Sequence, residues 1–262
     1  MNTAFSSRGI LFCLVLMGVL AGGTGCIKID TSLSLNRDGS GSLRTIYGMP
    51  TFLIKQMELT RQWTRSLDFA GGKSTNAAIS SLDIPMIFDE AVLSNRFRMM
   101  TADGVNLESL RTREQGGWKY VDFNLKFGRF EGLVKQSFFK ECGVVFTRVG
   151  DDTCKLSVSL PPVGVSPDLT AQTNPGAGAS AKLTPFMNGL RVVVRVDLPG
   201  EIRNSSSMMS DNRRATWEWD FDKDASAIER LTKDRIIVVF DGRQVRLNDF
   251  EKPAGGTSFR IK

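Results

Sequence analysis

The first 26 residues set the terms on which the rest of this chain folds. Arg8 carries a positive charge, Ile10 to Leu20 form an apolar run, and Ala21-Gly22-Gly23-Thr24-Gly25 is a small-residue segment ending at Cys26. A charged start, a short apolar stretch and then small residues is the order of a secretory signal. The apolar run is about 11 residues, whereas a helix crossing a bilayer needs about 20. Residues 1–25 are therefore expected to be removed as a signal peptide, leaving 237 residues (262 less 25) to fold outside the cytoplasm. That length supports a substantial core.

A cysteine placed directly after the small residues resembles the signal of bacterial lipoproteins. The resemblance implies that Cys26 is diacylated on its sulfur, with fatty acids such as palmitate, and becomes the mature N-terminus. The usual pattern has Leu three residues before the cysteine, and Gly23 stands there. A plain signal peptide with a coincidental cysteine, or an uncleaved anchor, are the alternatives. Ile27, rather than Asp, after the cysteine favours the outer over the inner membrane where a cell has both.

Chemistry is limited by what is missing. The 262 residues contain no histidine, which removes Ser-His and Cys-His nucleophile pairs, histidine bases and histidine metal sites. Carboxylates remain, in three clusters: Asp89-Glu90, Asp151-Asp152 and Asp220/Asp222/Asp224. Asp151-Asp152 falls at an expected hairpin tip, where Asp is a good turn residue. The run from Asp220 to Asp224 resembles the start of a calcium loop, which needs Gly at position six and Glu at twelve. Those places hold Ala225 and Leu231. No catalytic residue, metal site or cofactor is expected. The mature part carries 33 Lys and Arg against 28 Asp and Glu, and the full sequence has a pI near 9.3. The cations are dispersed, which favours weak attraction to anionic head groups and gives no reason to expect nucleic acid.

Hydrophobic periodicity places the elements. Ile27 to Leu35 alternate as a strand, Asn36 to Ser42 form a glycine-bearing turn, and Leu43 to Tyr47 return. Pro50 opens a helix over 51–69, and a second helix covers 86–100. Residues 105–113 and 118–127 form a hairpin about Gly116-Gly117, with Val121, Phe123, Leu125 and Phe127 on one face. A helix is expected from Phe130 to Cys142, capped by Gly143, then a hairpin over 144–160. A Cys142–Cys154 disulfide needs the chain to bend back near Gly143, since the hairpin register alone holds the two cysteines farther apart than a bridge tolerates, and two separate buried thiols are the alternative. Residues 161–185 are rich in Pro, Gly and Ala and read as an exposed loop. Leu190 to Leu198 is a strand ended by Pro199-Gly200, residues 201–213 read as loop, and Ala215 to Phe221 is a strand. Trp217 and Trp219 share one face of it, where they either pack in the core or present an aromatic surface to a ligand. A short helix over 225–232 and a hairpin of 235–240 with 243–247 complete the pattern.

The expected architecture is α+β: a largely antiparallel sheet of β-hairpins with helices packed on one face. Residues 26–160 form the N-terminal part of the domain, 186–250 supply the strands that complete it, and 251–262 are a polar tail. The order of elements resembles the LppM-type domain of bacterial lipoproteins. The resemblance is carried by the cysteine followed by a strand and Asn36-Arg37-Asp38-Gly39-Ser40-Gly41, by Tyr120 to Phe127, by Val194 to Ile202 and by Ala215 to Trp219. It implies a lipid-anchored extracytoplasmic module, without enzymatic activity, that meets lipids or glycolipids of the envelope. Family members often end in a membrane helix. This chain ends polar, which would leave Cys26 as its anchor.

Two roles fit these observations. One is a non-enzymatic binding module held on the membrane by its lipid, with a lipid or glycolipid as ligand. The other is a structural or assembly lipoprotein that binds another envelope protein. Replacing the acylated residue, Cys26→Ser, is expected to abolish incorporation of radiolabelled palmitate and to release the chain from the membrane fraction.

Overall fold

The computed structural model describes residues 27–69, 84–136, 139, 143–159, 189–224, 226–243 and 245. Cys26, Cys142, the 161–185 segment and the 251–262 tail lie outside the described residues. The chain begins with a hairpin, β1 (Lys28–Leu35) and β2 (Gly41–Pro50), paired antiparallel from Lys28↔Gly48 to Leu35↔Gly41. Its turn is set locally. Gly39 adopts φ +81°, and the Asp38 carboxylate accepts hydrogen bonds from the Ser40 amide (3.0 Å) and hydroxyl (2.6 Å). A left-handed residue flanked by an Asp that bonds its own backbone is ordinary turn chemistry.

β2 continues into α1 (Thr51–Phe69) and pairs along its length with β4 (Trp118–Phe127). β4 is the second arm of a hairpin with β3 (Val105–Gln115), joined through Gly116-Gly117. Both glycines have positive φ, the conformation a two-residue hairpin loop requires. On the other side of β1 lies β7 (Arg191–Asp197), followed across the sheet by β10 (Arg214–Asp220) and the short β9 (Met209–Asp211). The seven strands run in the order β3-β4-β2-β1-β7-β10-β9. The sheet is largely antiparallel, but β1 and β7 pair parallel, from Lys28↔Arg191 to Ser34↔Asp197.

The registers stack one face of this sheet into rows. Trp219, Val192, Ile29, Tyr47 and Val121 form one; Trp217, Val194, Thr31, Thr45 and Phe123 the next; Ala215, Val196, Leu33, Leu43 and Leu125 the third. The two threonines at the centre satisfy each other, Oγ1 to Oγ1 at 3.3 Å. The opposite face carries charges in cross-strand pairs: Arg44 with Asp122, Arg195 with Asp30, Arg191 with Glu218, and Arg214 with Asp197.

Two layers cover the apolar face. Over β2 and β4 lie α1, the 3-10 turn Ile84–Phe88 and α2 (Glu90–Met99), contributing Leu53, Ile54, Ile87, Phe88, Leu93 and Phe97 to the core. The expected single helix over 86–100 is interrupted at Asp89. That residue stays extended and caps α2, accepting from the Ala91 and Val92 amides at 2.9 and 3.1 Å. The Tyr47 phenol donates to the Ile87 carbonyl, and burial pushes its pKa well up. The second layer is a four-stranded sheet, β5 (Gly143–Arg148), β6 (Thr153–Ser159), β11 (Arg235–Asp241) and β8 (Ile202–Ser205), with α4 (Ala227–Lys233) beside it. Buried residues of both sheets and the helices form one continuous cluster.

Several expectations change here. The helix from Phe130 is broken: α3 covers Phe130–Val134, Lys135 and Gln136 leave it, Phe139 is again helical, and Gly143 is the first residue of β5, while 140–142 lie outside the described residues. Residues 201–213 contain β8 and β9. β8 is held by the Ser206 hydroxyl, which donates to the Arg235 carbonyl (2.7 Å) and accepts from the Ile237 amide (3.0 Å). β11 pairs with β6 on one side and β8 on the other, and of the expected return arm 243–247 the described Arg243 and Val245 are not in a strand. Cys154 is a buried free thiol whose pKa burial raises. Trp217 and Trp219 are 3% and 1% exposed. Their indole N–H groups donate to Ser206 Oγ and Asp234 Oδ2, both at 3.2 Å. Their strand parity points them inward, so they close the core and do not form a ligand surface.

Truncating the end of the first row, Trp219→Ala, is expected to cost about 3–5 kcal/mol by urea unfolding. Arg44→Ala on the charged face should change stability by less than about 1 kcal/mol, because the pair it breaks is exposed.

Candidate functional site

A concavity lies where four connections meet at the end of the sheets remote from Ile27. It is an open trough of about 950 Å³ lined by Ser34 to Asp38 of the β1–β2 turn, Asp197 to Pro199 after β7, Arg213 before β10, and Arg243 and Val245 after β11. β1 spans the distance between Lys28 and this trough, roughly 25 Å at about 3.4 Å per strand residue.

Backbone hydrogen bonds fix its walls. The Leu198 amide donates to the Arg213 carbonyl (2.8 Å), Ile202 to Asn212 (2.7 Å), Asp241 to Glu201 (2.8 Å) and Gly242 to Asp152 (2.8 Å). The approach of the Pro199-Gly200 step to β11 leaves no space for a side chain. A Cβ on Gly200 would sit 1.8 Å from the Asp241 carbonyl oxygen. Arg148 braces the segment after β11, donating to the carbonyls of Val245 (2.9 Å), Gly242 (3.2 Å) and Asp151 (2.6 Å).

Most charges at the trough are neutralised by neighbours. Asp197 takes a two-pronged contact from Arg214 (2.6 and 3.2 Å), whereas Asp38 is hydrogen-bonded by the neutral Ser40 and keeps its negative charge. Arg243 is held on Asp241, with Nε 2.9 Å from Oδ2. Arg203 bridges Asp152 (2.8 Å) and Asp241 (3.5 Å). Hydrogen bonds from Arg243, side chain then backbone, hold the Asp241 carboxyl well below the usual carboxylate range, and Arg203 lowers Asp152. Arg37 and Arg213 are exposed and have no ion-pair partner among the described residues. Both residues line the trough, whose apolar floor is made of the largely buried Leu35, Leu198, Pro199 and Val245. Below that floor a crevice bounded by Leu35, Phe130, Phe146, Pro199 and Val245 leads toward the core. Its volume is about 10 Å³, roughly the room of one water. The trough is thus suited to an anionic group resting on apolar surface, and the crevice holds no acyl chain unless Phe130 and Phe146 move.

The carboxylate clusters do not converge on it. Asp89 caps a helix, and Glu90 accepts from the Thr112 hydroxyl (2.9 Å). Asp220 pairs with Lys223 (3.0 Å), Asp222 accepts from the Gly189 amide (2.7 Å), and Asp224 accepts from Ser226. Among the described residues no group of His, Cys, Asp and Glu could hold a metal ion, and no helix is long and apolar enough to cross a membrane. The trough's residues lie in turns distant in sequence, so strand periodicity gave no sign of it. Pro199-Gly200 marked only a strand end.

No family model matches the chain, and no curated protein does. Among solved structures it is similar to the folded domain of LppM from Mycobacterium tuberculosis, determined by NMR. The identity is 11%, over 84% of this chain and 92% of that one, with a TM-score of 0.40. This is a distant likeness of fold and says nothing about a ligand.

The lowered carboxylates give the trough a definite response to acid. A group whose folded pKa lies below its unfolded value stabilises the fold above the unfolded pKa, and the contribution is lost as pH falls through the folded value. NMR titration should find Asp241 and Asp152 still ionised below their ordinary pKa of 3.8. Arg203→Ala is expected to move both carboxyls upward.

Proposed function

We propose that this chain is a lipid-anchored, extracytoplasmic envelope protein that works as a non-enzymatic binding module. Its ligand is an anionic lipid or glycolipid head group seated in the trough. One observation carries the reading: Arg37 and Arg213 line the trough beside Leu35, Leu198, Pro199 and Val245 with no ionic partner among the described residues, while Asp197 is paired with Arg214 and Asp38 is hydrogen-bonded by Ser40. Guanidiniums bind phosphate and carboxylate oxygens through two parallel N–H groups, and the floor gives the less polar part of a head group somewhere to rest. The anchor at Cys26 localises the module, and the signal-like N-terminus supports that part of the reading.

The alternative, an assembly lipoprotein that pairs with another envelope protein, would draw on a sheet edge. The longest edge strand is β3, and Glu108, Arg111, Arg113 and Glu114 blunt it against strand addition. The ligand reading is therefore the one supported here.

Native mass spectrometry of the mature chain, recovered from its own envelope without the acyl groups, tests the proposal. A lipid-sized mass should co-purify and be lost on unfolding. Arg37→Ala with Arg213→Ala should lower its occupancy by about tenfold or more, as expected for removing two charge-assisted contacts. A bare chain that also ignores added anionic lipid would sink it.

A further inference from the structure

At the opposite end of β1 from the trough, two sets of wholly or partly exposed groups have no role in the core. On the polar face of the large sheet, the Trp118 and Tyr120 rings stack 6.0 Å apart at 17°. Lys28 Nζ lies 4.3 Å from the Trp118 ring centroid and the Arg113 guanidinium 5.4 Å from that of Tyr120. Beside them α1 begins: Pro50 pairs with Trp118, and the Thr51 amide donates to the Gly117 carbonyl (2.8 Å). α1 buries Leu53 and Ile54 but leaves Phe52 and Leu59 59% and 65% exposed. These two are seven residues apart, two turns along one side of a helix. Lys55 is exposed on the same helix, with Glu58 as the nearby acid.

Large apolar and aromatic side chains interspersed with Lys and Arg are the composition of a surface that lies in a lipid interface. Lys28 is two residues from Cys26, so an acyl chain on that cysteine would hold this end of the molecule at the bilayer. We propose that the Lys28–Trp118–Tyr120–Arg113 cluster on the polar face and the outward side of α1 on the other, which meet at the Ile27 end of the large sheet, form an end-on docking surface for the anionic leaflet carrying the anchor. Contact there turns a tether into a fixed orientation, with the arginine trough facing away from the host bilayer. This rests on the lipid-anchored reading, and two features commit the surface to a membrane. Lys28, two residues from Cys26 in the sequence, belongs to it, and the cations Lys28, Lys55 and Arg113 complement anionic head groups. Met208 and Met209, also exposed, belong to the β8–β9 region and carry no such link to the anchor.

The test uses the mature chain from Cys26 made without its signal, so that the thiol is not acylated. Flotation with vesicles of phosphatidylcholine alone, or mixed in equal parts with phosphatidylglycerol, reads the surface directly. Binding to the mixed vesicles is expected, weakened by salt, and lowered about tenfold or more by Phe52→Ser with Leu59→Ser. Lys28→Glu should lower it as well. Met208→Ser with Met209→Ser should leave it unchanged, and unchanged melting temperatures establish that the variants fold. Failure of the unacylated chain to float, equal loss in the methionine variant, or a change only in self-association by sedimentation would overturn the docking surface. Intact mass of the chain extracted from membranes judges the anchor separately: an unmodified Cys26 refutes the lipid-anchored reading whatever the vesicles show.

Discussion

The parallel pairing of β1 with β7 joins two otherwise separate halves of this protein. The N-terminal half, β1 to β4 with α1 and α2, could close as a hairpin sheet under its helices. The C-terminal half supplies β7, β10 and β9 on one side of that pair and the small sheet beneath it. Seven residue pairs from Lys28↔Arg191 to Ser34↔Asp197 place Val192, Val194 and Val196 in line with Ile29, Thr31 and Leu33. That alignment makes each row of the apolar face continuous, from Trp219 to Val121, from Trp217 to Phe123 and from Ala215 to Leu125. A shift of one residue would turn all three valines to the charged side. The partners are more than 160 residues apart in sequence, so closing this contact orders a long stretch of chain, and the rows it completes offset that cost.

The same pairing makes both surfaces discussed here. Because β1 and β7 run in one direction, their C-terminal ends arrive together. The β1–β2 turn and the Leu198-Pro199 segment therefore sit side by side as two walls of the trough. Their N-terminal ends also arrive together, and the Arg191 amide donates to the Ile27 carbonyl at 3.0 Å, fixing the first described residue to the sheet. An antiparallel partner at this place would have put the Pro199-Gly200 step at the other end. Anchor side and binding side are thus separated by the length of one strand.

Much of this was legible in the sequence because it depends on local pattern. Val121, Phe123, Leu125 and Phe127 alternate without exception, and β4 is buried on that face alone. Asn36 to Gly41 carry their turn in their own side chains. What was not legible depends on contacts distant in sequence. β8 and β9 are short and polar; β8 exists because Ser206 and the edge of β11 receive it, and β9 because it pairs with β10. Residues after Phe130 have an apolar spacing suited to a helix, yet Gly143 packs against Ser159 as a strand residue. Trp217 and Trp219 could be placed on one face from sequence, but which face is inward follows only from the register with β7. The trough draws on four turns, none of which has a recognisable motif.

The binding account predicts where a head group will be felt. The direct measurement is an NMR titration of the mature chain with glycerol phosphate, a soluble head-group fragment, following backbone amides and arginine Nε–Hε signals. The account predicts saturable shifts confined to Arg37, Arg213 and the amides of Leu35, Leu198 and Val245, weakening as salt is raised. No shift at those groups, or equal shifts at cations all over the surface, would contradict it.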